Sequence, residues 1–341
     1  MSGAEQRNAE ALALGVDIGG TKVAAVVVDG AGTVLASERG PVAPESNDSA
    51  LASVVAVVDR VLETQPEARG RLVGIGAGAP GGVDWRNGVL LGATNLAWRN
   101  LPLGEELSKR YGVPALVDND VNVAAWGERC FGGWGRDGKQ IEHLVFITVG
   151  TGIGSGLIEN GRIVRGRRGA GEIGHIPVLQ NGPRCKCGMV GCLEGAASGP
   201  ALGAAGRRLA ESGESPRLVE LAGGAVVTAA HVVQAAVEGY PGPKMLLQKE
   251  GEYLALATLI ASRMLDPEVI VIGGGLAEAG DPLFQSIWTA LRKIRERGPE
   301  PETYVVPTRL GGDAGAIGAA ALVLMPEGGF VSAGILRAPR R

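Results

Sequence analysis

Two glycine-rich turns, each set between two strands, constrain this chain more than any other feature of its sequence. Residues 12–18 (LALGVDI) and 23–28 (VAAVVV) read as strands around the turn in Asp17-Ile18-Gly19-Gly20-Thr21-Lys22, and a strand near 33–38 completes a meander. The unit recurs. Residues 143–149 (HLVFITV) form an apolar strand, GTGIG makes the turn, residues 155–159 form the next strand, and Asn160-Gly161 is a hairpin signal. A Walker A loop requires GxxxxGK[ST] opening a helix, and the dinucleotide fingerprint also requires a helix after its glycines. Here a strand follows both turns, so both nucleotide-binding architectures are excluded. Two such units, one per domain, would grip a single chain of phosphates from both sides.

The length of 341 residues fits about two domains. We expect a small α/β domain from 12–118 plus 311–327 and a large one from 119–310, with tails at 1–11 and 328–341. Helices are expected at 48–64 (capped by Asp48 or Ser49), 105–111, from Asp118 or Asn119 to Phe131, and near 199–212, 226–238, 246–265, 282–297 and 313–324. Further strands are expected at 72–78, 115–117 and 269–272, the last running into Gly273-Gly274-Gly275. With 45% hydrophobic and 20% charged residues, the chain can fill its cores, and a long disordered region is not expected. A formal net charge of −3 gives no electrostatic case for nucleic acid, and the basic end at 337–341 reads as a solvated tail. No run of eighteen apolar residues is present, and the N-terminal MSGAEQRNAEA lacks the apolar centre of a signal peptide. A cytoplasmic protein is the expectation.

Four groups of residues carry chemistry. In DIGGTK, glycine lets backbone N–H groups approach a polyphosphate, Thr21 adds a hydroxyl, Lys22 a cation, and Asp17 a carboxylate able to hold Mg²⁺. The same residues also fit a plain hairpin turn. In Asp118-Asn119-Asp120-Val121-Asn122, one helix cap explains one polar residue and not the run. A carboxylate there could take the proton of a sugar hydroxyl as it attacks a phosphoryl group. His175, Cys185, Cys187 and Cys192 supply one imidazole and three thiolates, the closed tetrahedral set of structural zinc. Glu172 lies three residues before His175 and Glu194 two after Cys192, so a metal there would order both carboxylates.

With these pieces assembled, the chain resembles the ROK family of bacterial sugar kinases and repressors. The resemblance rests on DIGGTK, PGGVD (80–84), TNLAW (94–98), DNDVNVAAWGE (118–128), TVGTGIGSG (148–156), GAGEIGH (169–175), CKCGMVGCLEGAASG (185–199) and DPEVIVIGGGL (266–276), in family order. It implies an actin-like ATPase (ribonuclease H-like) fold, with two α/β domains flanking a cleft and Asp120 as catalytic base. It further implies sugar contacts from Gly81, Asn95, Asn119, Asp120, Glu172, His175 and Glu194. Phosphate contacts would come from Gly19, Gly20, Thr21, Lys22, Thr151 and Gly152, with Gly273, Gly274 and Gly275 near adenine and zinc on the Cys/His set. A homodimer or dimer of dimers acting on sugar and ATP, without nucleic-acid or membrane partners, is the family expectation. CLEGAASG looks like the glucokinase branch, although Gly195-Ala196 replaces bulkier residues usual there, and VEGYPGPK (237–244) departs from the Gly-Asp common at that point. Glucose is therefore the expected substrate. The alternatives are another sugar (mannose, fructose, allose or N-acetylmannosamine), polyphosphate as donor, or a sugar-sensing repressor. Family repressors carry a DNA-binding domain ahead of the core, for which a first motif at Asp17 leaves no room.

Overall fold

The computed structural model describes residues 11–93, 96–135, 139–167, 169–296, 298 and 303–326. In chain order the first elements are β1 (Leu12–Ile18), β2 (Lys22–Asp29), β3 (Val34–Pro41), α1 (Asn47–Thr64) and β4 (Leu72–Ala79). Then follow β5 (Gly82–Asp84), β6 (Val89–Ala93), β7 (Leu96–Leu101), α2 (Leu103–Tyr111), β8 (Ala115–Asn119) and α3 (Asp120–Phe131). The middle of the chain gives β9 (Leu144–Val149), β10 (Ile153–Glu159), β11 (Arg162–Ile163), α4 (Leu193–Ala197), α5 (Gly199–Glu211), α6 (Pro216–Ala222) and α7 (Ala229–Val237). Last come α8 (Pro241–Leu265), β12 (Val269–Gly273), α9 (Asp281–Arg295), β13 (Tyr304–Pro307) and α10 (Ala314–Leu324). Two compact units result. One runs through Glu142 and includes Gly156–Ala170 and the chain from Arg309; the other is His143–Ser155 with Gly171–Thr308.

The first unit is built on a sheet ordered β3-β2-β1-β4-β8, antiparallel on the β2 side of β1 and parallel on the β4 side. Its central strand β1 is almost wholly buried, whereas β3 alternates in exposure. Helix α1 buries Ala50, Val54, Val57, Val58, Val61 and Leu62 along one stripe, the spacing of an amphipathic helix. Its cap is Ser46, not Asp48 or Ser49. Ser46 is extended and accepts from Ser49 N–H, while the Ser49 hydroxyl returns to Ser46 N–H, so Ser49 is the third helical residue of a capping box.

Helix α10 lies directly on this sheet. A Cβ at Gly76 would fall 1.7 Å from the Ala319 carbonyl oxygen, and one at Gly318 would fall 1.8 Å from that of Val123 in α3. Glycine at both contacts lets α10 sit between sheet and α3, which is why its sequence is AGAIGAAALVL and every residue but Gly315 is buried. The sequence boundary at 118/119 falls within the end of β8, while α3 packs on α10 and the first unit runs on through Glu142.

The small antiparallel sheet β5-β6-β7 was not expected from the sequence. Its strands are short and its register shifts at Gly82/Val83 and Gly92/Ala93, which erases the period-two signal. Trp98 on β7 is fully buried and donates its indole N–H to the Ala43 carbonyl at 3.2 Å.

In the second unit β9, β12 and β13 run parallel with the fully buried β12 in the middle. Strand β13 and helix α6 are also additions to the sequence reading. The departure at 237–244 has a local explanation: Tyr240 is the cap of α8, and Pro241 stands in the first turn, where proline's missing N–H costs nothing. Among the described residues no helix is long and apolar enough to cross a membrane.

Glu250 in α8 is 2% exposed, and its Oε1 has no hydrogen-bond partner. Burial alone raises its carboxyl well above the usual carboxylate range. A raised folded-state pKa contributes stability below the unfolded value that is lost as pH rises through the folded one. Glu250→Leu should therefore raise stability at pH 8 by about 1–3 kcal/mol and by less at pH 5. Denaturant unfolding at the two pH values checks this, and a variant less stable than its parent at pH 8 contradicts it.

Candidate active site

The first glycine turn lies between β1 and β2. Gly19 N–H donates to the Lys22 carbonyl at 2.8 Å, closing the turn, while Gly20, Thr21 and Lys22 are exposed. Gly20 has no positive φ, and a Cβ there would meet nothing within 4 Å. Neither backbone conformation nor packing requires glycine at this position, and its lack of a Cβ would let a ligand come close to the backbone. Asp17 is the penultimate residue of β1 and lies against the first turn of α10, where a Cβ at Gly315 would fall 2.6 Å from its carboxyl carbon. Desolvation, aided by Asp313, pushes Asp17 up to about 6 against the pull of Lys22 and Arg39. Arg39 and Asp313 are themselves ion-paired. A carboxyl held this reluctantly in its charged form suits a cation such as Mg²⁺, and Asp17 is the residue of this turn that would hold one.

The acidic run begins two strands away in the same sheet. Asp17 on β1 pairs with Gly78 on β4, which pairs with Asp118 on β8, so the three form one row at the strand ends. A Cβ at Gly78 would lie 3.3 Å from Asp120 Cα and 3.7 Å from Asp17 Oδ1. Within the run the roles separate. Asn119 caps α3, its side-chain oxygen accepting from Val121 N–H at 3.0 Å and Asn122 N–H at 3.3 Å, and its amide donates to the Gly81 carbonyl at 3.3 Å. Asp118, the other candidate cap, is instead buried and accepts from Arg165 Nε at 2.6 Å, because it still belongs to the sheet. Asp120 is the first helical residue and half-buried, with Oδ1 accepting from Val121 N–H at 2.9 Å. Asn95 lies outside the described residues.

The second unit carries the other glycine turn, between β9 and β10. Gly150 N–H donates to the Gly152 carbonyl at 2.9 Å, and the Gly150 carbonyl accepts from Gly199 N–H at 2.8 Å. The Gly273–Gly275 loop is tied to the same turn by Leu276 N–H donating to the Val149 carbonyl at 2.9 Å. Thr151 is exposed. Glu194 reaches the turn as well: Oε2 accepts from Ile153 N–H at 3.1 Å, and a Cβ at Gly152 would fall 2.5 Å from that oxygen. Its Oε1 lies 4.0 Å from Cys185 Sγ, so one carboxylate spans the turn and the cysteine cluster.

His175, Cys185, Cys187 and Cys192 place their ligand atoms within 4.8 Å of one another. Cys185 Sγ is 3.6 Å from His175 Nδ1, and Cys187 Sγ is 3.6 Å from Cys192 Sγ. A tetrahedral ion with metal–sulfur bonds of ~2.3 Å has ligand–ligand edges of ~3.8 Å, whereas a disulfide needs ~2.05 Å. All three cysteines are free. The set therefore fits a metal, and His175 would use Nδ1 for it and keep Nε2 for another partner. Glu172 sits at the head of the short 3-10 turn Ile173–His175 and makes no capping hydrogen bond with its side chain.

Arg165, Trp85, Arg39 and Asp313 were not found from the sequence. Arg165 stands in a run, RGRR, that reads as an ordinary basic loop, and nothing local marks the other three.

The ROK family's sequence model matches residues 13–325. The chain belongs to the ROK family. A curated glucokinase of Halalkalibacterium halodurans is 34% identical over 319 residues, covering 92% of this chain and 95% of the relative. A ROK family glucokinase from Streptomyces griseus, solved in complex with glucose and AMPPNP, superposes with a TM-score of 0.80 at 35% identity, covering 91% of this chain and 98% of that one. The xylose repressor of Caldicellulosiruptor bescii is 29% identical, covering 83% of this chain and 69% of its own length. This ROK chain has the actin-like ATPase fold of those kinases. The ROK family thus includes both enzymes and regulators, and the site residues have to separate them.

Proposed function

We propose that this ROK protein transfers the γ-phosphoryl group of ATP to O6 of D-glucose. It is an enzyme of the hexokinase/glucokinase type, as its glucokinase relatives and the glucose- and AMPPNP-bound structural neighbour support. The observation that carries the reading is the division of labour in the acidic run: Asp118 is committed to its ion pair, the Asn119 side-chain oxygen to the cap of α3, and Asp120 stands half-buried at the head of that helix. In the reaction the O6 hydroxyl attacks the γ-phosphorus and its proton passes to Asp120. The bond from that phosphorus to the bridging oxygen breaks, and ADP leaves with the electron pair. Gly19, Gly20, Thr21 and Lys22 in the first unit, and Thr151 and Gly152 in the second, are assigned to the phosphates, and Gly273–Gly275 to adenine. Gly81, Asn119, Glu172, His175 and Glu194 are assigned to the ring hydroxyls. Mg²⁺, which Asp17 would hold, supplies charge neutralisation of the phosphates when bound. His175, Cys185, Cys187 and Cys192 are assigned to a structural zinc that keeps Glu172 and Glu194 in place.

Glucose follows from the number of donors and acceptors offered to equatorial hydroxyls. An epimer leaves at least one polar group unpaired, at a cost of about 1–3 kcal/mol, or roughly 5- to 150-fold in kcat/KM. Across a panel of hexoses in an ADP-release assay, galactose and allose should fall in that range below glucose, with mannose the best secondary substrate. N-acetylmannosamine or fructose exceeding glucose tenfold in kcat/KM removes the glucose assignment and leaves the sugar-kinase reading standing.

A further inference from the structure

A buried ion pair next to the proposed base has no role in the reading above. Arg165 Nε donates to Asp118 Oδ2 at 2.6 Å, with side-chain exposures of 8% and 2%. The second carboxylate oxygen accepts from Asn119 N–H at 2.7 Å and from the Asn122 side-chain amide at 3.0 Å. The guanidinium lies 4.3 Å over the ring of Trp85, directly after β5. One carboxylate thus holds the backbone N–H of Asn119, the residue before Asp120, and the side chain two residues after Asp120, and one guanidinium holds that carboxylate.

A pair this buried is a poor stabiliser. Removing two charges from water costs several kcal/mol each, and apolar residues of similar volume often do as well or better. Placement explains it better than stability does. Asp118 lies near the end of the edge strand β8, Asp120 begins a helix, and the direction of the backbone changes between them. The Asp120 carboxylate is aimed by the dihedrals of residues 119 and 120, and Asp118 ties down the chain on either side of Asp120 through the Asn119 N–H and the Asn122 side-chain amide. Without Arg165, Asp118 would be an uncompensated buried charge and would turn toward water, releasing both contacts.

We propose that Arg165 and Asp118 are positioning residues for the phosphoryl-transfer base, with Trp85 as the platform that fixes the guanidinium plane. The inference rests on Asp120 being that base. Misplacement of a reacting group by about 1 Å costs up to ~10²-fold in rate, so the effect belongs in kcat and not in nucleotide binding.

The test compares Asp118→Leu/Arg165→Met, which removes the acceptor of both contacts, with Arg165→Met, Arg165→Lys and Asp120→Asn in the full-length protein, measuring melting temperature, kcat and KM for ATP. Arg165→Met alone should be markedly destabilised. The double variant, with no buried charge left, should recover most of the parental melting temperature yet keep kcat lowered by about 10- to 10²-fold, with KM for ATP within about twofold of the parent. Arg165→Lys retains the charge but not the planar contact with Trp85, and should show an intermediate kcat at near-parental melting temperature. A stable double variant with kcat within about twofold of the parent overturns the proposal. If the double variant does not fold, Arg165→Lys decides alone: parental kcat at parental melting temperature overturns it. Asp120→Asn separates the two levels, since high activity there refutes the base itself, while an inactive Asp120→Asn beside a fully active double variant refutes only the positioning pair.

Discussion

Asp120→Asn should lower kcat by about 10²–10⁴-fold while the protein stays folded and its affinity for glucose changes much less. The expectation follows from the shape the two side chains share. Asp120 Oδ1 accepts the Val121 N–H at 2.9 Å, an interaction that an asparagine oxygen reproduces. The helix start does not depend on it, because Asn119 caps α3 through two backbone N–H groups. What the substitution removes is the capacity to accept a proton. Asparagine can still hydrogen-bond a sugar hydroxyl, so KM should move little, and the loss should sit in the chemical step. A coupled assay of ADP release at saturating sugar and ATP, with a melting curve beside it, measures both. A folded variant that retains more than about a tenth of parental kcat is incompatible with a general base at this position.

Much of the candidate site could be named from the sequence because its residues declare their chemistry locally. A glycine pair at a strand end, three polar residues heading a helix, and a His/Cys set with no other plausible partner each carry a physical reason within a few positions. The first sheet was legible for a related reason: β1 and β2 are long apolar runs around a turn. In the other five-stranded sheet, Asn160-Gly161 between β10 and β11 adopts the paired positive φ values of 50° and 69° that its hairpin demands. What failed to show was non-local. Asp118 looks like a helix cap until Arg165, 47 residues later, is seen to claim it. The length of α10 and its run of small residues were visible, but not that Gly76 and Gly318 let it press against a sheet on one side and α3 on the other. Strands β5 to β7 were missed because register shifts broke their alternation, and the Ser46 cap because Asp48 and Ser49 are equally good capping residues by type. Sequence names candidates for a cap, and tertiary packing chooses where the helix begins.

The second large effect concerns the metal. Protein purified without added zinc should contain about one zinc per chain, and Cys187→Ser should lower metal content, thermal stability and activity together. The segment from 176 to 192 folds back on itself through backbone hydrogen bonds, such as Val178 N–H to the Gly191 carbonyl and Cys185 N–H to the Met189 carbonyl, and through two isolated bridges, Pro177 with Cys192 and Arg184 with Val190. Its apolar residues Met189 and Val190 are 54% and 49% exposed, so a tetrahedral ion would add order that apolar burial there does not supply. Activity should follow because the chain leaves the cluster straight into functional positions. Cys192 caps α4, whose second residue is Glu194, and the Glu194 carboxylate accepts the Ile153 N–H at 3.1 Å in the second glycine turn. On the other side His175 closes the turn headed by Glu172. Loss of the ion would free both carboxylates while leaving Asp120 in its own unit untouched, so KM for sugar should rise more than kcat falls. Cys130→Ser, outside the cluster, should leave zinc content unchanged. Metal analysis together with amide exchange over residues 176–192 measures the effect directly. A fully active preparation with metal content near zero would rule the structural zinc out.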